Sequence, residues 1–200
     1  MPDTGAPWNI PYVASTDLVS DWPADSLALA NAIDAGLDAA GGLVAVKHAL
    51  FTGTQTNSTA AGANFSVTSL SITHTLADSS NKLIISAYLG IAANSVGSAQ
   101  VGMAIADGGT LIGIGDADGS RTQVSTGGRI GSGTDNQNVS MPSISFVYEP
   151  GDTAAHTYTV EAVNIRGATD TIYINRDVPD TNAASTPRAS SGFVIQEVKV

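Results

Sequence analysis

The sequence contains no cysteine, which excludes disulfides and thiolate metal ligation. It is also short of charge: Asp, Glu, Lys and Arg make up 13% of 200 residues, about half the ordinary share. Basic residues number 8 against 18 acidic ones, for a net charge of −10. Duplex nucleic acid needs clustered Lys and Arg, and these few are scattered, so nucleic acid is not an expected partner. The N-terminal stretch has no basic region followed by an apolar run, so no signal peptide is expected. The longest apolar stretches, such as Leu83–Ala93, are too short and too broken for a membrane span. Catalytic signatures are missing as well. There is no Gly-x-Ser-x-Gly elbow and no Cys nucleophile. Glutamate occurs as Glu149, Glu161 and Glu197, each in or beside a predicted strand. The glycine run Gly127-Gly128-Arg129-Ile130-Gly131 leads into no helix, so it does not read as a phosphate cradle. The expectation is a protein that is not an enzyme and needs no cofactor.

What fills the chain is small and hydroxylated: Gly, Ala, Ser, Thr and Asn around a 42% hydrophobic fraction. That mixture predicts many short strands joined by turns, enough for a packed core, and a surface suited to life outside cells. Without disulfides, such a protein commonly gains stability by oligomerising.

Along the chain the character changes twice. Met1 to about Pro23 holds Pro2, Pro7, Pro11 and Pro23 together with Trp8 and Trp22. Prolines deny it a regular ladder, and the aromatics suggest an extended segment that docks. A helix is predicted over Pro23–Ala40, with Asp21 as N-cap, Pro23 in the first turn, and Gly41-Gly42 as the stop. Its apolar stripe is Ala30, Ile33, Leu37 and Ala40. Heptad spacing of that kind suits a short parallel bundle; the plainer alternative is a helix lying across its own domain.

From Leu43 to Val200 the period becomes two. Leu70, Ile72, His74 and Leu76 alternate with Ser71, Thr73 and Thr75. Leu83–Ile91, Val101–Ile105, Leu111–Gly115, Ile144–Tyr148, Tyr158–Val163, Thr171–Asn175 and Phe193–Val200 follow. The fold class read from this is mainly β: an extended segment and short helix (1–42), then an antiparallel β-sandwich or jelly roll (43–200) of about eight strands. Leu83–Ile91 and Phe193–Val200 are apolar on both faces for part of their length, through Ile84, Tyr88, Val194 and Val198. A second buried face implies a partner, and a symmetric copy is the simplest. The last run also carries to the end of the chain, at Val200.

Two stretches carry a family resemblance. Thr4–Gly41, with Pro7-Trp8-Asn9-Ile10-Pro11-Tyr12, then Thr16-Asp17-Leu18-Val19, then the Ala-rich helix, resembles the N-terminal segment of phage tail-fibre and virion structural proteins. The pieces Leu111–Thr122, Val139–Phe146, Thr171–Arg176 and Phe193–Val200 resemble a β-jelly-roll head similar to trimeric tumour-necrosis-factor or C1q-like domains. The resemblance implies a homotrimer in the virion. Pro7, Trp8, Ile10, Pro11, Tyr12 and Trp22 would anchor it to other phage structural proteins, and the head would project outward, with a host surface glycan or protein as a possible contact. Ile33, Leu37, Tyr88 and Val198 are the residues expected at the trimer interface. A capsid decoration, cement or head-fibre protein is the first alternative. A monomeric carbohydrate-binding module of a secreted bacterial protein is the second, and a depolymerase, which needs a carboxylate cleft, a further rival.

Four polar features compete for a chemical role. Asp116 and Asp118, in Gly115–Arg121, could offer oxygens to Ca²⁺. The late glycine and closing Glu of a calcium loop are missing, so a polar hairpin turn is favoured. His74 sits on the apolar face of its strand, where three copies could meet on an axis and bind a metal; a satisfied core histidine is the plainer reading. His48 and His156 show no obvious partner. Arg121 and Arg176 could hold an anion or glycan, against the favoured ion pairs with carboxylates such as Asp116 and Asp177. Asn57-Ser58-Thr59, Asn64-Phe65-Ser66 and Asn138-Val139-Ser140 fit the glycosylation pattern, but a phage product should carry no glycan there.

Overall fold

The computed structural model describes residues 22–39, 42–94, 100–129, 139–178, 180–184 and 186–200. The chain divides into two compact units, Met1–Leu43 with Lys199–Val200, and Val44–Val198.

In the first unit the helix α1 runs Trp22–Ala39, one residue ahead of the predicted span at each end. Pro23 lies in its first turn, where a missing N–H costs nothing. Leu27, Ala30 and Ile33 are exposed and share a flank at i, i+3 spacing, while Ala28, Leu29 and Ala32 are half-buried. The predicted stripe members Ala30 and Ile33 are therefore open on this unit. The side chains of Leu37 and Trp22, and all of Pro7, Trp8, Ile10, Pro11, Tyr12, Asp21 and Ala40, lie outside the described residues.

The second unit is built from strands: β1 (Leu43–Phe51), β2 (Gln55–Thr59), β3 (Asn64–Thr75), β4 (Lys82–Tyr88), β5 (Ile91–Ala93), β6 (Gln100–Asp107), β7 (Thr110–Ile112), β8 (Thr126–Arg129), β9 (Ser143–Tyr148), β10 (Ala155–Asn164), β11 (Asp170–Ile174) and β12 (Ser191–Val198). One sheet has the order β1-β12-β4-β9; a second has β3-β10-β6-β7, with β8 also on β6; a small third has β2-β11-β5. With β5 counted as a continuation of β4, β8 as a continuation of β7, and β2 and β11 as extensions, the two large sheets interleave early and late strands. First pairs with last, and second with next to last. That is the topology of a jelly roll. The pairings β3–β10, β10–β6, β6–β7, β6–β8, β2–β11, β11–β5, β12–β4 and β4–β9 are antiparallel.

One core joins the three sheets. It takes Leu70 and Ile72 from β3, Leu83 and Ile85 from β4, Met103 and Ile105 from β6, Tyr158 and Val160 from β10, Ile172 and Ile174 from β11, and Phe193 and Ile195 from β12. The alternation that puts them there is interrupted once in β3. Between the pairs Thr159↔Ser71 and Glu161↔Ser66 the register slips, and Ser69 takes φ 65°. The slip lets Val67 and Leu70 both point inward. Gln55 satisfies the backbone it frees: its Oε1 accepts Thr68 N–H at 2.7 Å and its Nε2 donates to Ser66 O at 3.1 Å.

A second irregularity splits the run Leu83–Ile91, read above as one strand, into β4 and β5. A Cβ at Gly90 would stand 2.8 Å from Asn175 Oδ1 and 2.9 Å from Ala189 Cβ. Asn175, at φ 60°, donates from Nδ2 to Phe51 O (2.8 Å) and Gly53 O (2.9 Å). Ser191 Oγ donates to Asn175 Oδ1 at 2.6 Å and accepts Gly90 N–H at 2.9 Å. This buried polar knot lies where β4 gives way to β5, and β11 to β12.

Other boundaries move too. There are more strands than the eight expected, because β2 and β8 carry too many polar or glycine residues to announce themselves and the mostly apolar β1 lacks a polar-apolar alternation. β12 stops at Val198, and Lys199 N–H then donates to Gly42 O at 2.8 Å. The stretch around Asp116 and Asp118 is not a tight hairpin turn. It belongs to a long excursion, residues 113–125, between β7 and β8. Its neck is closed by Gly115 N–H to Val124 O at 3.3 Å and by Ser125 Oγ to Ile112 O at 3.4 Å. Val124 then covers Gly102 on the outer side of β6, where an added Cβ would meet Val124 Cγ1 at 2.7 Å.

Candidate assembly face

The outward side of the β1-β12-β4-β9 sheet gathers valine, leucine, isoleucine and tyrosine side chains among serines, Gln196 and His48. Register places Val147, Ile84 and Gln196 in one row, Ser145, Ser86 and Val194 in the next, and Ser143, Tyr88 and Gly192 in a third. Val198 stands opposite Lys82, and β1 adds Val44, Val46 and Leu50. Val46 is 51% exposed, Leu50 56% and Val147 59%. Single exposed apolar residues are normal on a protein surface, but several gathered on one sheet make that sheet the candidate interaction surface. A shallow hollow of about 440 Å³ lies in it, lined in part by Tyr88, Ile144, Gly192 and Val194. Tyr88 lies flat over Gly192: any Cβ there would be 2.5 Å from Tyr88 Cε1. Ser86 and Ser145 hydroxyls bond each other at 2.8 Å, so even the polar members of the middle row are paired. At the margin, Lys82 Nζ meets Glu149 at 2.7 Å.

Tyr88 and Val198, expected from the sequence at a trimer interface, both stand on this outward face, together with Ile84 and Val194. The exposed Val44, Val46, Leu50 and Val147 were not singled out from the sequence. The alternation Leu43-Val44-Ala45-Val46 was the available signal, obscured by Lys47 and His48. Lys47 turns away and donates to Thr73 O at 2.8 Å, closing the open side between β1 and β3.

His74 is corrected. It points into its own sandwich, so it is not available to an axis between copies. Its Nε2 is 2.8 Å from Glu197 Oε2, and its Nδ1 is buried without a partner. Glu197 also accepts Asn81 Nδ2 at 2.6 Å and Ala77 N–H at 2.8 Å. Burial works against the Glu197 anion, but these bonds outweigh it and hold the carboxyl below its ordinary range. His156, expected to have no partner, stands opposite His74 across β3 and β10 and lies between two carboxylates. Its Nδ1 is 2.8 Å from Asp107 Oδ2 and its Nε2 3.0 Å from Asp152 Oδ1. Bonds to Asp152 first, and Asp107 second, raise its pKa. Tyr148 donates to Asp107 Oδ2 at 3.1 Å. Two links therefore cross between the large sheets at one end of the core, His74 to Glu197 and Tyr148 to Asp107. Among the described residues no group of three or more His, Cys, Asp or Glu is placed to hold a metal.

The remaining candidates are ion-paired. Arg121 Nη1 meets Asp118 Oδ2 at 3.0 Å; Asp118, not Asp116, is the partner. Arg176 meets Asp180 at 3.3 Å and lies 4.4 Å over the Tyr173 ring. Asp177, the partner suggested by sequence, instead accepts Val139 N–H at 3.0 Å. Asn64 of the second glycosylation-like triplet donates to Glu161 at 2.8 Å.

The chain matches no family model and no curated protein. A chain in the structure of infectious bursal disease virus Gx strain is similar over 78% of this chain and 39% of that one, with a TM-score of 0.34 and 13% identity. A likeness of that size does not establish a common fold.

Proposed function

We propose that the chain is a structural component of a tailed-phage particle. It assembles as a homotrimer, mounts on the virion through its N-terminal segment, and displays the jelly roll outward as a fibre or small appendage. The observation that carries the self-association is the apolar outer face of β1-β12-β4-β9. Each Val, Leu or Ile that a neighbouring copy fully covers gains roughly 1.5–3 kcal/mol, and a closed ring of identical copies covers the face on every protomer. The open flank Leu27, Ala30 and Ile33 of α1 asks for a partner in the same way. The phage setting and the mounting role are supported by the resemblance of Thr4–Gly41 to virion segments. In this reading the chain catalyses nothing: Glu161 and Glu197 spend their acceptor sites on structural bonds. Contact with a host surface is the task assigned to the head, and coating the capsid is the competing use of the same architecture.

Sedimentation of the full chain tests the assembly. A mass of three chains at micromolar concentration is expected, and a monomer there overturns it. A chain starting at Leu43 should stay out of particles; if it still incorporates, the N-terminal segment is not the mount.

A further inference from the structure

At the end of the sandwich where β2 turns into β3 and β10 into β11 lies a cleft of about 440 Å³, within the range of small-ligand sites. Three short segments wall it: Ala61–Gly62, Ser120–Thr122 and Ile165–Gly167. Two of the eight basic residues in this acidic chain, Arg121 and Arg166, line it. Asn164, fully buried, fixes two of the walls. Its Nδ2 donates to Thr59 O at 2.7 Å and Ala168 O at 2.9 Å, and its Oδ1 accepts Arg166 N–H at 2.9 Å. Its own carbonyl accepts Gly62 N–H at 2.9 Å.

The two guanidiniums are held differently. Arg166 Nη1 stands 3.7 Å from Asp170 Oδ2, a buried oxygen with no hydrogen-bond partner, which keeps this cation at the wall. Arg121 is paired with Asp118 in an exposed loop. Such a pair is worth little in water, so an incoming carboxylate can take Asp118's place. A bare oxyanion would leave most of the cleft empty. The remaining lining is Ala61, Ile165, Ser120, Thr122, Gly62 and Gly167: the two hydroxyls and the side-chain-free glycine backbone suit ring hydroxyls, and the two apolar side chains suit ring carbons.

The geometry points to this cleft as a binding site for a sugar acid, with its carboxylate received by Arg121 and Arg166 through charge-assisted hydrogen bonds and its hydroxyls by the loops. The site lies within one protomer and does not depend on how copies assemble.

The test is titration of the full chain with glucuronate, glucose and inorganic phosphate, followed by calorimetry and by the amide resonances of Gly62 and Gly167. Saturable glucuronate binding is expected, with glucose at least about tenfold weaker through the loss of one charged hydrogen bond or more, and phosphate, which keeps the charge but lacks the ring hydroxyls, weaker as well. Arg121→Gln and Arg166→Gln should each weaken glucuronate by about tenfold. Arg166→Lys keeps the charge without the planar fork and should fall between Gln and the native residue. Asp118→Asn should strengthen binding, because it removes the competitor for Arg121. Phosphate binding as tightly as glucuronate, no saturable glucuronate binding, or indifference to Arg166→Gln and Asp118→Asn in folded protein overturns the assignment.

Discussion

The two large sheets share one core but finish their outer sides in opposite ways. Outside β3 and β10, Ser71, Thr73, Thr75, Thr157 and Thr159 face water, and the Thr73 and Thr157 hydroxyls meet at 2.9 Å. Glu161, nearly buried there, accepts Ser66 Oγ at 2.6 Å, Asn64 Nδ2 at 2.8 Å and Thr159 Oγ1 at 2.9 Å. Farther along, the 113–125 excursion lays Val124 over Gly102 of β6. That side is satisfied by its own chain and by solvent. Outside β1, β12, β4 and β9 the same alternation brings Val44, Val46, Ile84, Val147, Val194 and Val198 to the surface. The difference lies entirely in which residues occupy the outward parity of each strand. One sheet is complete as a monomer, and the other presents a face that water penalises.

Charging the apolar side should break the comparison most severely. Val46→Glu with Val147→Glu is expected to convert the assembly to monomers in sedimentation, while Ser71→Glu with Thr73→Glu leaves its mass unchanged. Equal behaviour of the two pairs would mean that the apolar face is not the contact. Glu161→Ala probes the polar side. It removes the shared acceptor of Asn64, Ser66 and Thr159 and should cost about 1–3 kcal/mol of stability, read by denaturant unfolding, without altering the mass. Gly192→Val is subtler: it must lift the Tyr88 ring, so it should weaken self-association, measured as a higher dissociation constant, with only a modest change in the unfolding of the monomer.

The smallest effect is expected from pH at the polar end of the core. His156 has a raised pKa in the folded state, so its stabilisation is complete below about 6.5, the ordinary histidine value, and fades as pH climbs through the raised one. Glu197 and Asp152 are lowered, so their contributions are present above the ordinary carboxylate range and are lost on acidification. Thermal stability should peak on the mildly acidic side of neutrality and decline in both directions. His156→Gln should flatten the alkaline limb; an unchanged limb would show that the histidine clamp contributes nothing.

The mainly β class was legible because Leu70–Leu76 alternates cleanly and the later apolar runs are short and bounded by turn residues, and the helix because Pro23 opens it and Gly41-Gly42 follows it. Doubled apolar parity in β4 and β12 pointed to the open face. Other parts were not legible, for specific reasons. β2, Gln55–Thr59, is polar throughout and is a strand because β11 pairs with it. β8, Thr126–Arg129, exists through its ladder to β6. Of the two carboxylates on His156, Asp107 lies 49 residues away and was out of reach of a local reading, whereas Asp152, four residues before it, was a local signal that went unused. The cleft is made by three turns far apart in the chain, and only Arg121 among its residues was singled out beforehand.

Residue order by itself determined the period of each strand, the poverty of charge, and the presence of apolar residues at both parities of two strands, because these are local properties of side chains along an extended backbone. Tertiary structure decided which of those parities faces out, which acid meets which histidine, and that Arg121 and Arg166 share one cleft. Those outcomes depend on register and on turns that bring distant residues within hydrogen-bond reach, and no local pattern encodes them.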